Sequence, residues 1–218
     1  MSKGKAFTLA EVLIVLAIIG VVAALTMPML MNNYQKTQQV TALKKAYSQI
    51  TDAIDRLMVD ENLDNLYESE ILQKTSAGNP KGFLKKYFRV SKYCTQFDAK
   101  DCISKPTSMD KTNTNNPAIN ETCVFLKDGS SICLDPGDPN HAVGFFVDTN
   151  GLDKPNIGGR DIFKFFAYAN GTVDEIEPED LASGGATARD ALKDGCESSS
   201  YGAGCLSKIM DAGWKMDY

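Results

Sequence analysis

An apolar run near the amino terminus constrains this chain more than any other feature. Residues 7–31, FTLAEVLIVLAIIGVVAALTMPMLM, contain a single charged side chain, that of Glu11. An α-helix rises about 1.5 Å per residue, so the run is long enough to cross a hydrocarbon core of about 30 Å. A secretory signal peptide would have a shorter apolar stretch, followed by a small-residue cleavage site. Here the small residues precede the run, which predicts a membrane helix that the mature protein retains.

The start of this run carries a recognisable motif. KAFTLAE at residues 5–11, with the apolar residues that follow, resembles the leader of type IV pilins and of the pseudopilins of type II secretion systems. In that family a prepilin peptidase cuts before the Phe and methylates the new amino terminus. The resemblance implies cleavage between Ala6 and Phe7 and methylation of Phe7. This chain has Ala6 where the family usually has Gly.

The hydrophobic pattern continues beyond the apolar run. Apolar residues recur at steps of three and four at Val40, Leu43, Tyr47, Ile50, Ile54 and Leu57. This spacing predicts one helix from Phe7 to about Met58, apolar all round in its first half and amphipathic in its second. The domain organisation expected is a leader at 1–6, a transmembrane and filament-core helix at 7–31, and a globular head at 32–218 that includes the amphipathic half.

Glu11 stands out because a carboxylate within hydrocarbon costs several kcal/mol unless it is paired. Its one candidate partner within the chain is the amino group of the processed Phe7. The family resemblance implies that Glu11 instead meets the amino terminus of a neighbouring subunit during filament assembly. The alternative is a glutamate near the membrane interface whose side chain reaches water.

Pro28 lies in the sequence TMPML near the end of the apolar run. A proline inside a helix removes one backbone hydrogen bond and crowds the preceding turn, so a bend is expected near residues 24–28. By resemblance, this proline belongs to assembly, where it lets the helix bend or melt during packing. The alternative is that Pro28 only marks the exit from the membrane.

The six cysteines all follow the membrane segment and fall into three local couples without a CxxC motif. This pattern favours structural disulfides in an oxidising compartment over zinc or redox sites. Cys123 and Cys133 bracket a turn at residues 127–130, which favours their pairing. Local pairs Cys94–Cys102 and Cys196–Cys205 would each staple a loop with few apolar residues. Free buried thiols are the alternative.

Short strand-like runs joined by tight turns follow the long helix. They cover residues 123–126, 131–134, 143–148, 162–169 and 172–176, after a short amphipathic helix expected at 82–93. The fold class predicted is therefore α+β and pilin-like. A long amino-terminal helix would pack on a small antiparallel sheet with disulfide-stapled loops.

One glycine-rich loop has the composition of a cation site. Its oxygen-bearing side chains are those of Asp148, Asn150, Asp153, Asn156 and Asp161. Calcium accepts six to eight such oxygens in flexible geometry, but the match to an EF-hand is partial because the Gly comes early and the closing Glu is absent. Calcium is therefore a possible cofactor. The alternative is an Asx-type turn with Gly151 in a left-handed conformation.

Charge and composition exclude other classes of function. The formal net charge is −5, and loss of Lys3 and Lys5 with the leader leaves 21 basic against 28 acidic residues, a net −7. Such a surface repels nucleic acid, so no nucleic-acid partner is expected. His141, the single histidine, is expected on a solvated loop with no nucleophile motif nearby, so the chain is not expected to be an enzyme and no catalytic residue is assigned.

These observations lead to one reading and one rival. The first is a structural pilin-like subunit, a minor pilin or pseudopilin, anchored by one helix in the inner membrane with an extracytoplasmic head. Its expected partners are other pilin subunits, prepilin peptidase and an inner-membrane assembly platform. The rival is a monomeric membrane-anchored binding protein that uses the leader only for insertion.

Overall fold

A computed structural model of the chain describes residues 8–69, 80–94, 102–114, 122–138, 141–176 and 185–218. The chain divides into two compact units, Met1–Gln38 and Gln39–Tyr218. Helix α1, Leu9–Glu61, contributes residues to both units. The cleavage site predicted at Ala6 and Phe7 lies outside the described residues.

Within the second unit, α1 packs through one stripe of side chains. The buried members are Val40, Leu43, Ala46, Ile50, Ala53, Ile54 and Leu57. The predicted stripe is confirmed, with Tyr47 partly buried against the same core and two alanines completing the face. Asn62 ends the helix in a left-handed conformation with φ 51°, and the N–H of Leu63 donates to the Met58 carbonyl at 2.8 Å. These features form a Schellman C-cap.

The described part of the second unit contains an antiparallel sheet of six strands in consecutive order. The strands are β1 Val90–Cys94, β2 Thr122–Leu126, β3 Ser131–Asp138, β4 His141–Asp148, β5 Ile162–Ala167 and β6 Val173–Asp174. Three shorter helices accompany it, α2 Pro80–Tyr87, α3 Gly185–Asp194 and α4 Cys205–Asp211, with a 3-10 turn at Leu66–Glu68. The α+β fold class predicted from the sequence is confirmed.

The main core lies between the amphipathic part of α1 and one face of the sheet. Strand β5 alternates, with Phe163 and Phe165 buried and Lys164 partly exposed. The Tyr47 ring lies 6.0 Å from that of Phe165, and its hydroxyl donates to the Val173 carbonyl at 2.8 Å. Fully burying each such apolar side chain contributes about 1.5–3 kcal/mol, so this interface holds α1 on the sheet.

Two local predictions were wrong. The helix expected at 82–93 ends at Tyr87, and Val90–Cys94 forms an edge strand because its backbone pairs with β2. His141 was expected in a loop but begins β4, where it pairs with Asp138. For β1, strand pairing with a distant segment outweighs the local preference of the sequence, whereas His141 extends the local hairpin of β3 and β4.

Candidate functional site

Helix α1 begins with a capping box. The Thr8 hydroxyl accepts the Glu11 N–H at 3.2 Å, while the Glu11 carboxylate accepts the Thr8 N–H at 2.8 Å and the Thr8 hydroxyl at 2.9 Å. This reciprocal arrangement satisfies backbone donors that a helix start leaves unpaired. In a single chain Glu11 therefore has a local partner besides the predicted amino terminus. The Thr-x-x-Glu spacing in the sequence indicates such a capping box.

The side chains that follow this cap are solvent-exposed in the single chain. Exposed large apolar residues run through the first half of α1: Leu9, Val12, Leu13, Ile14, Val15, Leu16, Ile18, Ile19, Val21, Val22, Leu25, Met27, Met29, Leu30 and Met31. Helix α1 has the length and composition to span a membrane. A continuous apolar surface of this kind requires lipid or other helices to cover it.

Pro28 lies inside α1, which continues as a helix on both sides. Proline has no N–H, so the carbonyl of Ala24 lacks its usual intrahelical donor. Two residues before Pro28, the Thr26 hydroxyl donates to the Val22 carbonyl at 3.0 Å. Pro28 therefore removes one backbone hydrogen bond from a helix that continues through it, and the bend expected near residues 24–28 stays a prediction.

Three disulfides join Cys94 to Cys102, Cys123 to Cys133 and Cys196 to Cys205, the same pairs that the sequence favoured. Cys123 lies opposite Cys133 across β2 and β3, and Cys94 lies opposite Cys123 across β1 and β2. With Ile103 and Phe146 these cysteines form a second, smaller hydrophobic cluster. Two disulfides therefore build a core at the β1 side of the sheet.

The predicted calcium loop folds around two buried aspartates. Asp148 ends β4 and pairs in register with Ile162, so Asp161 lies beside it at the start of β5. The Asp161 carboxylate accepts the N–H groups of Asn156 at 2.7 Å and Ile157 at 2.6 Å. Asp148 and Asp161 are 0% and 1% exposed. The strand ends thus hold two carboxylates together away from water.

The Asx-type turn weighed as the alternative is present in this loop. The Asp148 carboxylate accepts the Asn150 N–H at 3.3 Å, and Gly151 has φ 66°. A Cβ at Gly151 would lie 2.5 Å from the Gly129 carbonyl oxygen. The turn therefore requires glycine for both its conformation and its space.

The turn leaves three buried oxygens without a hydrogen-bond donor among the described residues. They are Asp148 Oδ2, Asn150 Oδ1 and Asn156 Oδ1. An unsatisfied buried polar group costs about 1–3 kcal/mol, so a group of three in one loop needs a compensating interaction. Carboxylate and amide oxygens are the ligands that calcium prefers.

The electrostatics of the two aspartates also favour a bound cation. Burial and, to a lesser extent, the neighbouring Asp161 carboxylate raise the pKa of Asp148 to about 8. Burial also raises the pKa of Asp161, against the effect of the backbone N–H groups that it accepts. Such shifts mean that the site disfavours two negative charges in the absence of a cation.

The structure does not bring all five predicted residues together. Asp153 is exposed on the outer side of the loop, with its N–H on the Asn150 carbonyl at 3.5 Å. The described residues contain no group of three or more His, Cys, Asp or Glu side chains placed to hold a metal. The donors available in the loop interior are two carboxylates and two amides, a set that fits calcium better than a transition metal.

Sequence reasoning missed Glu175, a buried carboxylate that follows β6 and contacts the start of α4. Glu175 accepts the N–H groups of Gly204 at 2.9 Å and Ser207 at 2.7 Å. Burial raises its pKa to about 7 although these hydrogen bonds lower it. Beside it, Arg189 bridges the Ser207 hydroxyl and Asp174, so the group caps and anchors the carboxyl-terminal helices.

Residues 1–27 match the family model described as the prokaryotic N-terminal methylation motif. The chain is 31% identical over 93 residues to type II secretion system core protein G of Escherichia coli (strain K12). That match covers 38% of this chain and 63% of the relative, so the chain spans less than two thirds of the relative's length. No solved structure gave a significant match.

These two matches support the pilin and pseudopilin family that the leader resembled. They also agree with the expectation of a structural chain that is not an enzyme. With the apolar surface of α1, the motif is compatible with a single-pass, membrane-anchored protein.

Proposed function

We propose that this chain is a pilin-like structural subunit, a minor pilin or a pseudopilin, of a type IV pilus or type II secretion filament. The observation that carries the proposal is the exposed apolar surface of α1, in which Glu11 is the single charged side chain between Leu9 and Met31. In the membrane, lipid covers this surface. In a filament, the corresponding helices of neighbouring subunits cover it instead.

Processing and location follow from the same proposal. Prepilin peptidase cleaves between Ala6 and Phe7 and methylates Phe7, and the helix remains in the inner membrane until an assembly platform extracts it. The three disulfides support an extracytoplasmic head, because disulfides persist in oxidising compartments. A segment that crosses the membrane once places head and leader on opposite sides.

Glu11 has two successive roles in this scheme. In the single chain it caps α1 through Thr8. During assembly its carboxylate pairs with the amino terminus of a neighbouring subunit, so neither charge stays unpaired within the apolar filament core. An unpaired charge in hydrocarbon costs about 2.5–3.5 kcal/mol or more, which favours subunits that enter the filament in register.

Two matched variants separate these roles. Glu11→Gln keeps an oxygen that can accept from Thr8 but removes the negative charge, whereas Thr8→Val removes the hydroxyl and keeps the charge. We expect Glu11→Gln to lower incorporation into sheared filaments by about tenfold or more. The variant leaves the neighbour's amino terminus unpaired, and this cost exceeds the roughly 1.4 kcal/mol that corresponds to a tenfold change. Thr8→Val should assemble nearly as well as the unmodified chain.

Both variants are first checked for membrane insertion and head folding by fractionation and protease resistance. Normal incorporation of Glu11→Gln would overturn the assembly role of the Glu11 charge, whereas absence of the unmodified chain from sheared filaments would favour the monomeric-anchor alternative. An equal defect in both variants would mean that Glu11 acts through the helix cap.

We also propose that the loop between β4 and β5 binds calcium. Asp148, Asn150, Asn156 and Asp161 would supply the oxygens, and Asp153 would act at the exposed side of the loop. The three unpaired buried oxygens support this second role. A bound divalent cation would neutralise the paired carboxylates and fix the connection between the two strands.

Thermal unfolding of the full chain in detergent tests the calcium site. Calcium at a hundredfold excess over Kd adds about 2.7 kcal/mol to the free energy of unfolding, a rise in Tm of roughly 5–10 °C over chelator. Asp148→Asn should abolish the rise, and Asp217→Asn, at an exposed position, should retain it. Identical melting curves of the unmodified chain with and without calcium would leave this loop as a glycine-rich turn.

A further inference from the structure

A groove on the head lies between the amphipathic part of α1, the end of α2 and the turn between β2 and β3. Its volume is about 450 Å³. The floor is apolar and includes Ala53, Phe88 and Leu126, which are buried. We call this the basic groove, because its rim carries four basic side chains, Lys45, Arg56, Arg89 and Lys127, against two acidic ones, Asp52 and Asp128.

One of these basic side chains is already paired. The Lys45 ammonium lies 2.7 Å from Asp128 Oδ2, and Gln49 donates to the same oxygen at 3.3 Å. Burial raises the pKa of Asp128, but hydrogen bonds from Lys45 and Ser130 outweigh it and hold the pKa at about 2. Asp128 is therefore charged and committed to Lys45.

The remaining cations of the groove have no such partner. Arg56, Arg89 and Lys127 are exposed and form no ion pair with any residue that the structure describes. In addition, Gln49 Oε1 is buried, and no residue that the structure describes donates a hydrogen bond to it. A groove with an apolar floor and unpaired cations fits an acidic segment that also carries apolar side chains. The unsatisfied acceptor requires an N–H or O–H donor from the same segment.

The chain itself contains a segment of that chemistry. Residues 59–68, here called the acidic knob, hold four acids, Asp60, Glu61, Asp64 and Glu68, and no base. Lys86 binds Asp60 at 2.7 Å, whereas Asp64 and Glu68 are exposed without an ion pair among the described residues. The knob also exposes Val59 and Tyr67, by 79% and 42%.

We propose that the acidic knob of one copy docks in the basic groove of a second copy. This contact rests on the proposed filament function and deepens it, because it assigns a head-to-head interaction to that assembly. The two surfaces are different patches of one chain, so the contact is heterologous. A heterologous contact that does not close into a ring generates an open helical array, the symmetry that a filament needs.

The stagger can be stated from the middle of the groove, because its α1 residues run from Lys45 to Arg56. Gln49 lies in the groove and Asp60 in the knob, and the residues between them extend about 16 Å along the helix axis. Two copies with parallel helices therefore meet knob to groove when one is displaced axially by about that distance. The contact is compatible with parallel helices in one membrane or one filament.

Charge reversal tests the contact in the full chain. In detergent solution, Arg56→Glu/Arg89→Glu reverses the groove and Asp64→Lys/Glu68→Lys reverses the knob. Each variant alone should self-associate at least about tenfold more weakly than the unmodified chain, because like charges then face each other. An equimolar mixture should recover association, since each variant offers the surface that the other requires. The unmodified chain should dissociate as salt rises.

The matched control is Lys111→Glu/Lys215→Glu, which makes the same change of net charge as the groove reversal, at exposed positions outside the groove. It should associate like the unmodified chain. Unimpaired association of either reversed variant, or a mixture that stays dissociated while both variants show the unmodified melting temperature, would overturn the proposal. Sedimentation in detergent does not depend on filament formation, so a failure of the filament role is distinguished from a failure of this contact.

Discussion

The Asp148 side chain couples the stability of the head to pH. Its pKa is raised to about 8 by burial and by the neighbouring Asp161, whereas an ordinary aspartate has a pKa near 3.8. Between about pH 4 and pH 8, the folded chain therefore keeps a proton on Asp148 that the unfolded chain releases. The resulting stability is fully present below about pH 4 and is lost as pH rises through about 8.

We therefore expect the Tm of the unmodified chain in chelator to fall between pH 5 and pH 8. Asp148→Asn should reduce this slope, because its amide does not titrate. A smaller slope should persist from Glu175, whose pKa burial raises to about 7. Calcium should raise Tm more at pH 8 than at pH 5, since it binds the ionised carboxylates. Equal pH slopes for the unmodified chain and Asp148→Asn would contradict this assignment.

Single residues also show where sequence reasoning was incomplete. Glu11 was recognised as an intramembrane acid, but its pairing with Thr8 was missed although the Thr-x-x-Glu spacing signals a capping box. The observed helix cap and the proposed assembly contact use the same side chain, and only the cap belongs to the isolated chain. Glu175 could not be singled out, because its partners Gly204 and Ser207 are distant in the sequence.

At the scale of elements, local signals were the reliable ones. The buried stripe of α1 follows from a spacing of three and four, and Cys123–Cys133 follows from the turn that the pair brackets. The helix predicted at 82–93 was wrong in its second half. The apolar spacing of the segment suits a helix, but the residues from Val90 onward pair with β2. Pairing with a strand about 30 residues away leaves no local trace in the sequence.

The basic groove illustrates the same limit. Its walls come from α1, from the end of α2 and from the turn after β2, so no single stretch of sequence contains it. The acidic knob, by contrast, is continuous and readable from charge alone. A surface assembled from distant elements becomes visible only when the fold brings its residues together.

At the scale of the whole molecule, the proposal predicts the mass of the mature chain. We expect intact-mass spectrometry of the membrane-extracted protein to show loss of residues 1–6, one added methyl group and the mass of three disulfides. An uncleaved start at Met1, or cleavage after the apolar run near Ala24, would contradict the membership of a processed pilin-type class. Expression without a prepilin peptidase is the control, and it should yield the unprocessed chain.

The edges of the sheet limit how copies of the head can associate. At one edge, β1 has a register irregularity between Val90 and Lys92, and a disulfide ties its last residue to the following loop. At the other edge, β6 comprises two residues. Irregular, charged or very short edge strands resist the addition of another strand. Growth by strand augmentation, the route that leads to cross-β aggregates, is thus disfavoured, which leaves the apolar helix as the surface for the ordered assembly that we propose.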